Sequence, residues 1–433
     1  MIARSEYMTD LLRWKDKDDL VKVVTGVRRC GKSTLLLLFQ EYLKQNGVDD
    51  SRILDINLEM ATNDSLLNWK TLHQFVEDHA VKGSMTYVFL DEIQMVSDFP
   101  RVVNSLRLHK NVDLYVTGSN ASMLSKDIKN ILGGRTIEIQ MLPFSFKEYL
   151  SSFPDNEQTE LDKKYNSYVT RGSFPQTLEL EDRAWYTYMD SIYNTIIVKD
   201  VLSRQGIKEF SKLERVIAFL FDNAGSETSI NNMAAIINHD RHGKTSEKNI
   251  HVQTIENYLE NLLDGYVFYK AQPSYLKGKS RLRSNAKYYA VDTGLRYFLL
   301  GGASTDDAGH VLENVVYLEL LRRGYQVDFG KIDSSEGDLE IDFVARKPGG
   351  KVEYYQVAQT VMDKSVLERE LQPLQRLHDN YPKWILSRDY DSSNFNGIQH
   401  HNVLEWLLWQ PDDRRPTNRA RPEFANLQYC LSV

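Results

Sequence analysis

The sequence has little cysteine: two residues in 433, Cys30 inside a glycine-containing loop and Cys430 near the last residue. That placement argues against a structural disulfide and fits a reducing compartment. Long apolar runs are also missing. No stretch of about 18 apolar residues occurs, so no membrane-spanning helix is expected. Met1-Ile2-Ala3-Arg4-Ser5-Glu6 carries no apolar signal-peptide core, and the expected location is the cytoplasm. Nor is there an excess of basic charge. Lys and Arg number 53 against 60 Asp and Glu, a net −7, which argues against a whole-surface nucleic-acid binder and leaves room for a local basic patch. Internal repeats and low-complexity segments are absent. Two cysteines cannot supply a zinc-type Cys/His spacing, and the ten histidines are scattered, with His239, His242 and His251 loosely grouped as expected loop residues. What remains is an ordinary globular composition, 42% hydrophobic and 26% charged.

One stretch organises the chain. Gly26-Val27-Arg28-Arg29-Cys30-Gly31-Lys32-Ser33 fits the phosphate-loop pattern G-x-x-x-x-G-K-[ST]. Its glycines permit the positive φ that turns backbone N–H groups toward phosphate oxygens. Lys32 has the reach to meet β- and γ-phosphates, and the Ser33 hydroxyl can ligate Mg²⁺. Leu20–Thr25 reads as a buried strand before the loop. Ser33–Lys44 reads as a helix after it, whose N-terminal partial charge favours an anion. The candidate nucleotide contacts run from Gly26 through Thr34. Cys30 reads either as a small loop residue or as a redox-sensitive thiol.

Short apolar runs alternate with helical patterns to about residue 150, the sign of a parallel α/β sheet. Arg52–Leu58 reads as a second strand and Leu66–Ala80 as a helix. Tyr87-Val88-Phe89-Leu90-Asp91-Glu92 has the Walker B form, in which Asp91 would hold Mg²⁺ and Glu92 would polarise the attacking water. A further strand, Val112–Thr117, is expected beside the phosphate-loop strand. Thr117, Ser119 and Asn120 at its tip are candidates to sense the γ-phosphate, with Ser119 or Asn120 preferred. Arg135, after Gly133-Gly134, reads either as an arginine finger, acting on its own or a neighbouring subunit's nucleotide, or as a surface charge.

On these residues the region 20–150 resembles an AAA-type ATPase of the additional-strand P-loop class. More narrowly, Thr25–Ser33, Thr117–Asn120, Leu142–Tyr149 and Lys287–Arg296 resemble a prokaryotic family in which such an ATPase is fused to a C-terminal domain of uncharacterised function. The resemblance implies ATP and Mg²⁺ as ligands and ATP hydrolysis as the activity, and it leaves the protein partner unknown and a homo-oligomer open.

The expected organisation is an α/β P-loop ATPase core over 1–150, a helical lid over 151–225, a winged helix over 226–300 and an endonuclease-like α/β domain over 301–409. A polar tail follows over 410–433. In the winged-helix region Lys277, Lys279, Arg281, Arg283 and Lys287 occur with no acid between Ala271 and Val291. They could line a wing on a DNA backbone, or form a solvated hairpin of a protein–protein module. The strand order after residue 305 resembles a restriction endonuclease. Glu313 and Asp342 match its carboxylates, but its Glu-x-Lys position reads Gln356-Val357-Ala358. Gln356 is a poorer ligand for a hard cation and Ala358 supplies no ammonium, so this domain is expected to be catalytically inert. A DNA-binding regulator and an ATP-gated nuclease are the alternatives to a plain ATPase switch.

Overall fold

The computed structural model describes residues 2–118, 131–154, 160–196, 201, 210–239, 249–277, 285–302, 307–332 and 339–409. The chain divides into two compact units. One takes in Met1–Pro143 and Asp264–Tyr266, the other Phe144–Leu263 and the described chain from Val267 on.

The first unit is a parallel sheet with helices on both faces, preceded by helix α1 (Ser5–Arg13). Its strands are β1 (Val21–Thr25), β2 (Ile53–Asn57), β3 (Thr86–Asp91), β4 (Val112–Gly118) and β5 (Thr136–Gln140), in the order β2-β3-β4-β1-β5. β4 therefore lies between the phosphate-loop strand β1 and β3, as the additional-strand class requires. β1, β3 and β4 are buried along their whole length, which explains their mostly apolar runs, broken in β1 and β4 by Lys22 and Asp113. Successive residues of β3 serve opposite faces. Phe89 meets Phe39 of α2 (Lys32–Gln45) edge-on at 6.2 Å and stacks on Tyr115 at 4.9 Å. Val88 and Leu90 join the core built with Leu72 and Val76 of α3 (Trp69–His79) and Val102, Val103 and Leu106 of α4 (Phe99–Leu106). Leu72 and Val76, four apart on one helix face, are each worth about 1.5–3 kcal/mol of burial. The helix expected over 66–80 is split: a 3-10 turn ends at Leu67, and Asn68 caps α3 by accepting the Lys70 N–H.

One buried ion pair crosses this sheet. Lys22 of β1 and Asp113 of β4 are both fully buried and bonded to each other. Lys22 also donates to the Lys17 carbonyl at 2.6 Å, and Asp113 accepts from the Tyr115 hydroxyl at 2.8 Å.

In the second unit an aromatic cluster of Phe146, Tyr149, Tyr165 and Tyr168 joins α5 (Phe146–Leu150), opened by a Ser145/Glu148 capping box, to α6 (Leu161–Arg171). Helices α7 (Asp182–Asn194), α8 (Phe210–Asp222), α9 (Ile230–His239) and α10 (Val252–Asp264) follow. The phrase Lys287–Arg296 meets the turn after α6 here. Asp292, fully buried, caps α11 (Thr293–Leu299) through the Leu295 N–H at 2.7 Å and accepts from both the N–H and the hydroxyl of Ser173. Gly172, at φ 87°, passes so close that a Cβ would stand 2.5 Å from the Asp292 carboxylate.

The expected wing is different in structure. β6 (Phe268–Ala271) pairs antiparallel with β8 (Lys287–Ala290), but β7 (Pro273–Lys277) does not join them. It lies parallel to β9 (Gln326–Ile332) at the edge of a seven-stranded mixed sheet, with Leu276 packed into that sheet's core. The sheet continues through β10 (Leu339–Lys347), β11 (Lys351–Val357), β12 (Lys383–Ser387), β14 (Ile398–Asn402) and β13 (Ser393–Phe395). The sequence pattern makes β12 the last strand, yet β13 and β14 follow as a short antiparallel pair before α14 (Val403–Leu408). Helices α12 (Ala308–Arg322) and α13 (Lys364–Gln375) complete this part. No helix among the described residues is long and apolar enough to cross a membrane.

Candidate functional site

The C-terminal ends of β1, β3 and β4 lie side by side, because all three strands run in one direction. Each delivers its candidate residues to that edge.

After β1 the chain turns back into α2. Gly26 sits at φ 143°, and a Cβ there would come within 2.1 Å of the Met141 carbonyl oxygen, so no other residue fits. Arg29 and Gly31 also take positive φ, 65° and 103°. Gly31 opens α2 with no side-chain cap, which leaves the first-turn N–H groups for a ligand. The Lys32 ammonium folds back on the Gly26 and Val27 carbonyls at 3.1 and 3.3 Å, half-closing the cradle it lines. Ser33 is exposed and Thr34 half-buried at the helix start, while Arg28 pairs with Glu59 at 3.0 Å. The loop is braced from below by a residue that no sequence motif marks. Buried Arg4 donates to the Cys30 carbonyl at 3.1 Å and to the Leu142 carbonyl at 2.6 Å. The Cys30 thiol is fully buried and its pKa is raised by that burial, which favours the small-loop-residue reading over a reactive thiol.

β3 ends at Asp91, and Glu92 steps out of the strand at φ 56°. Both are buried. Thr117 of β4 joins them: its hydroxyl donates to the Asp91 carboxylate and accepts the Glu92 N–H at 2.9 Å. The Ser33 hydroxyl also bonds to Asp91, and the Asn57 amide reaches it at 3.3 Å. Burial raises the Asp91 pKa, against the lowering effect of the Thr117 and Ser33 hydrogen bonds. The Glu92 carboxylate accepts from the Gln94 amide. A hydroxyl and a carboxylate oxygen thus face one another across the mouth of the loop, a set of hard oxygen donors suited to Mg²⁺. Of the strand-tip candidates, Thr117 is the one seen at the site; Ser119 and Asn120 lie outside the described residues. Asn57 carries no sequence signal because its partner Asp91 lies 34 residues on, and Gln94 none because no motif marks an amide two residues after the Walker B acid.

Arg135 is not brought to this edge. It immediately precedes Thr136, which pairs with Val21 at the opposite end of β1, and it is exposed. Five strand residues put it about 16 Å from the loop side at ~3.3 Å per residue.

The basic patch also changes. Lys277 ends β7, and Lys279, Arg281 and Arg283 lie outside the described residues. Lys287 is no wing residue: it is buried, with its ammonium 3.0 Å from Glu313 and 2.7 Å from Glu340. These carboxylates hold its pKa above the ordinary lysine value despite burial. Glu313 accepts from the Tyr289 hydroxyl at 2.6 Å as well. Asp342 accepts the Val357 N–H at 2.8 Å, and burial, with Glu313 nearby, pushes its pKa well up. The Gln356 oxygen accepts the Asp342 N–H at 3.0 Å, while its amide donates to Glu370 at 2.8 Å. The structure therefore gathers Glu313, Asp342 and Gln356 with Lys287, but both ends of Gln356 are engaged with protein.

Comparison with known proteins finds a family match in each part of the chain. The AAA domain family matches residues 18–150, and a domain of unknown function (DUF8612) matches residues 162–306. An uncharacterized protein of Haemophilus influenzae is 36% identical over 411 residues, spanning 94% of this chain and 99% of its own. An uncharacterized protein of Methanocaldococcus jannaschii is 29% identical over 346 residues, 75% of this chain and 71% of its own. Among solved structures, the ORC2 protein of Aeropyrum pernix in its ADPNP–ADP complexes covers 73% of this chain and 93% of its own at 13% identity, with a TM-score of 0.38. A score that low carries no functional weight.

Proposed function

This chain belongs to one family with the uncharacterized Haemophilus influenzae protein and has an N-terminal AAA domain, and from that premise we propose that it binds Mg²⁺–ATP and hydrolyses it. The observation that carries the reading is the buried junction of Asp91, Thr117 and the Glu92 backbone, facing the uncapped N-terminus of α2. The loop from Gly26 to Thr34 would cradle the phosphates with backbone N–H groups, and Lys32 would leave its carbonyl partners for the β- and γ-phosphates. Ser33 and Asp91 would hold Mg²⁺, which supplies neutralisation of phosphate charge. Glu92, released from Gln94, would accept a proton from the attacking water. Thr117 fixes the backbone from which Glu92 projects.

We read the C-terminal unit as the responder to the nucleotide state, of the kind γ-phosphate contacts drive, and its Lys287–Glu313–Glu340 cluster as structural. The commitment of both ends of Gln356 supports an inert domain over an ATP-gated nuclease. Steady-state phosphate release with parallel nucleotide-binding measurements tests the proposal. Lys32→Ala should lose tight ATP binding. Glu92→Gln should bind ATP and hold it unhydrolysed; turnover at the parental rate would show that Glu92 is not the general base.

A further inference from the structure

A second group of ligating side chains lies in the ATPase unit, away from the phosphate loop. His73 and Glu77 stand one helical turn apart on α3, and His109 lies in the turn between α4 and β4. Thirty-odd residues separate the two histidines in sequence, and the packing of α3 against α4 brings them together. One donor atom from each falls within 4.8 Å of the others. The Glu77 carboxylate is between the rings, with one oxygen 3.4 Å from His73 Nδ1 and the other 3.5 Å from His109 Nε2.

These distances are long for N–H···O hydrogen bonds, which cluster near 2.9 Å. Each is close to the ~3.3 Å that bonds of about 2.0–2.1 Å set between neighbouring donors of a tetrahedral zinc ion, with each imidazole meeting a different oxygen of the carboxylate. A separate observation concerns the far side of His73. Its Nε2 lies 2.9 Å from the Ser105 hydroxyl. In the tautomer that donates Nε2–H to this hydroxyl, Nδ1 turns its lone pair to the Glu77 carboxylate, and a cation between the two would satisfy both. An outer hydrogen bond that sets the tautomer of a ligating imidazole is a recurrent feature of metal sites.

We infer that His73, Glu77 and His109 form a binding site for a zinc-class divalent cation. Two imidazoles and a carboxylate select Zn²⁺ over Mg²⁺ or Ca²⁺. Three protein ligands leave one position to water, and the partial exposure of all three side chains opens the site to solvent. The position gives the ion a defined effect. α3 and α4 are the crossovers on either side of β3 in sequence. Their N-terminal ends are already tied, since the Ser97 N–H donates to the Leu67 carbonyl at 2.9 Å beside an Asn68–Ser97 bridge. A cation at the other end would clip the pair at both ends, bracing the strand that carries Asp91.

Cobalt(II) tests this directly, because its visible absorption reports low-coordinate nitrogen and oxygen ligation. The full-length protein, held with excess Mg²⁺ to fill the nucleotide site, should bind one Co²⁺ that Zn²⁺ displaces, and Zn²⁺ should raise its Tm by several degrees. The double variant His73→Ala/His109→Ala should lose both effects while keeping its far-UV spectrum. Ser105→Ala, which keeps all three ligands and removes the hydroxyl on His73 Nε2, should weaken the metal about 10- to 100-fold. Equal cobalt affinity and spectrum in wild type and double variant would place the metal elsewhere and overturn the assignment. So would wild type unaffected by Zn²⁺ up to its solubility limit.

Discussion

Replacing Thr117 by Val probes the site most sharply, since it removes one hydroxyl and nearly preserves shape. That hydroxyl makes two bonds, to the Asp91 carboxylate and from the Glu92 N–H at 2.9 Å, and Thr117 is fully buried. A hydrogen bond to a charged group contributes about 1.5–3 kcal/mol, and stranding a buried N–H costs about 1–3 kcal/mol. If about 1–3 kcal/mol of this is felt where Asp91 and Glu92 act, kcat falls about 5- to 150-fold. A pH effect should accompany it. Burial raises the Asp91 pKa above 3.8, and the Thr117 bond opposes that rise. The folded protein therefore holds the Asp91 proton to a higher pH than the unfolded chain does, and the carboxylate that would hold Mg²⁺ is lost on acidification. Without Thr117 the pKa climbs further, so acid inhibition and the loss of Mg²⁺ affinity should move to higher pH. The assay is phosphate release against Mg²⁺ concentration across a pH series, with Thr117→Ser as the control that restores the hydroxyl. Thr117→Val turning over at the wild-type rate with an unshifted pH profile would refute the reasoning.

Asp113→Asn leaves the buried Lys22 ammonium without its counter-charge and should destabilise the sheet by about 3–5 kcal/mol in urea unfolding. Lys22→Met combined with Asp113→Leu should recover much of that loss, because an apolar pair needs no desolvation of ions. Gly172→Ala puts a methyl group against Asp292 at a φ of 87°, and a fall in Tm should follow. Gly47→Ala, at φ 84° with nothing within 4 Å of its Cβ, carries backbone strain alone and should cost less.

The ATPase unit was largely legible in the sequence because its signals are local. The phosphate loop, the strand before Asp91-Glu92 and the strand ending in Thr117 are each contiguous, and fully buried parallel strands leave mostly apolar runs. The second unit was less legible. β7 reads as part of a basic hairpin, yet it pairs with β9, more than fifty residues on. Lys287 reads as one of a run of solvated cations, yet two carboxylates from α12 and β10 surround it. Strand pairing and ion pairing across such separations leave no periodic trace in the chain.

The sequence alone determined that a phosphate-binding loop precedes a helix and that two carboxylates end a later strand, since both depend on residue type and near neighbours. Tertiary structure alone decided which hydroxyl meets Asp91, which end of the sheet receives Arg135, and which lysine lies buried among acids. It also decided that His73, Glu77 and His109 share one spot. Each of these turns on which strands and helices lie adjacent and in what register, and parallel pairing set the answer: it gathers the C-terminal ends of β1, β3 and β4 at one edge and leaves Arg135 at the other.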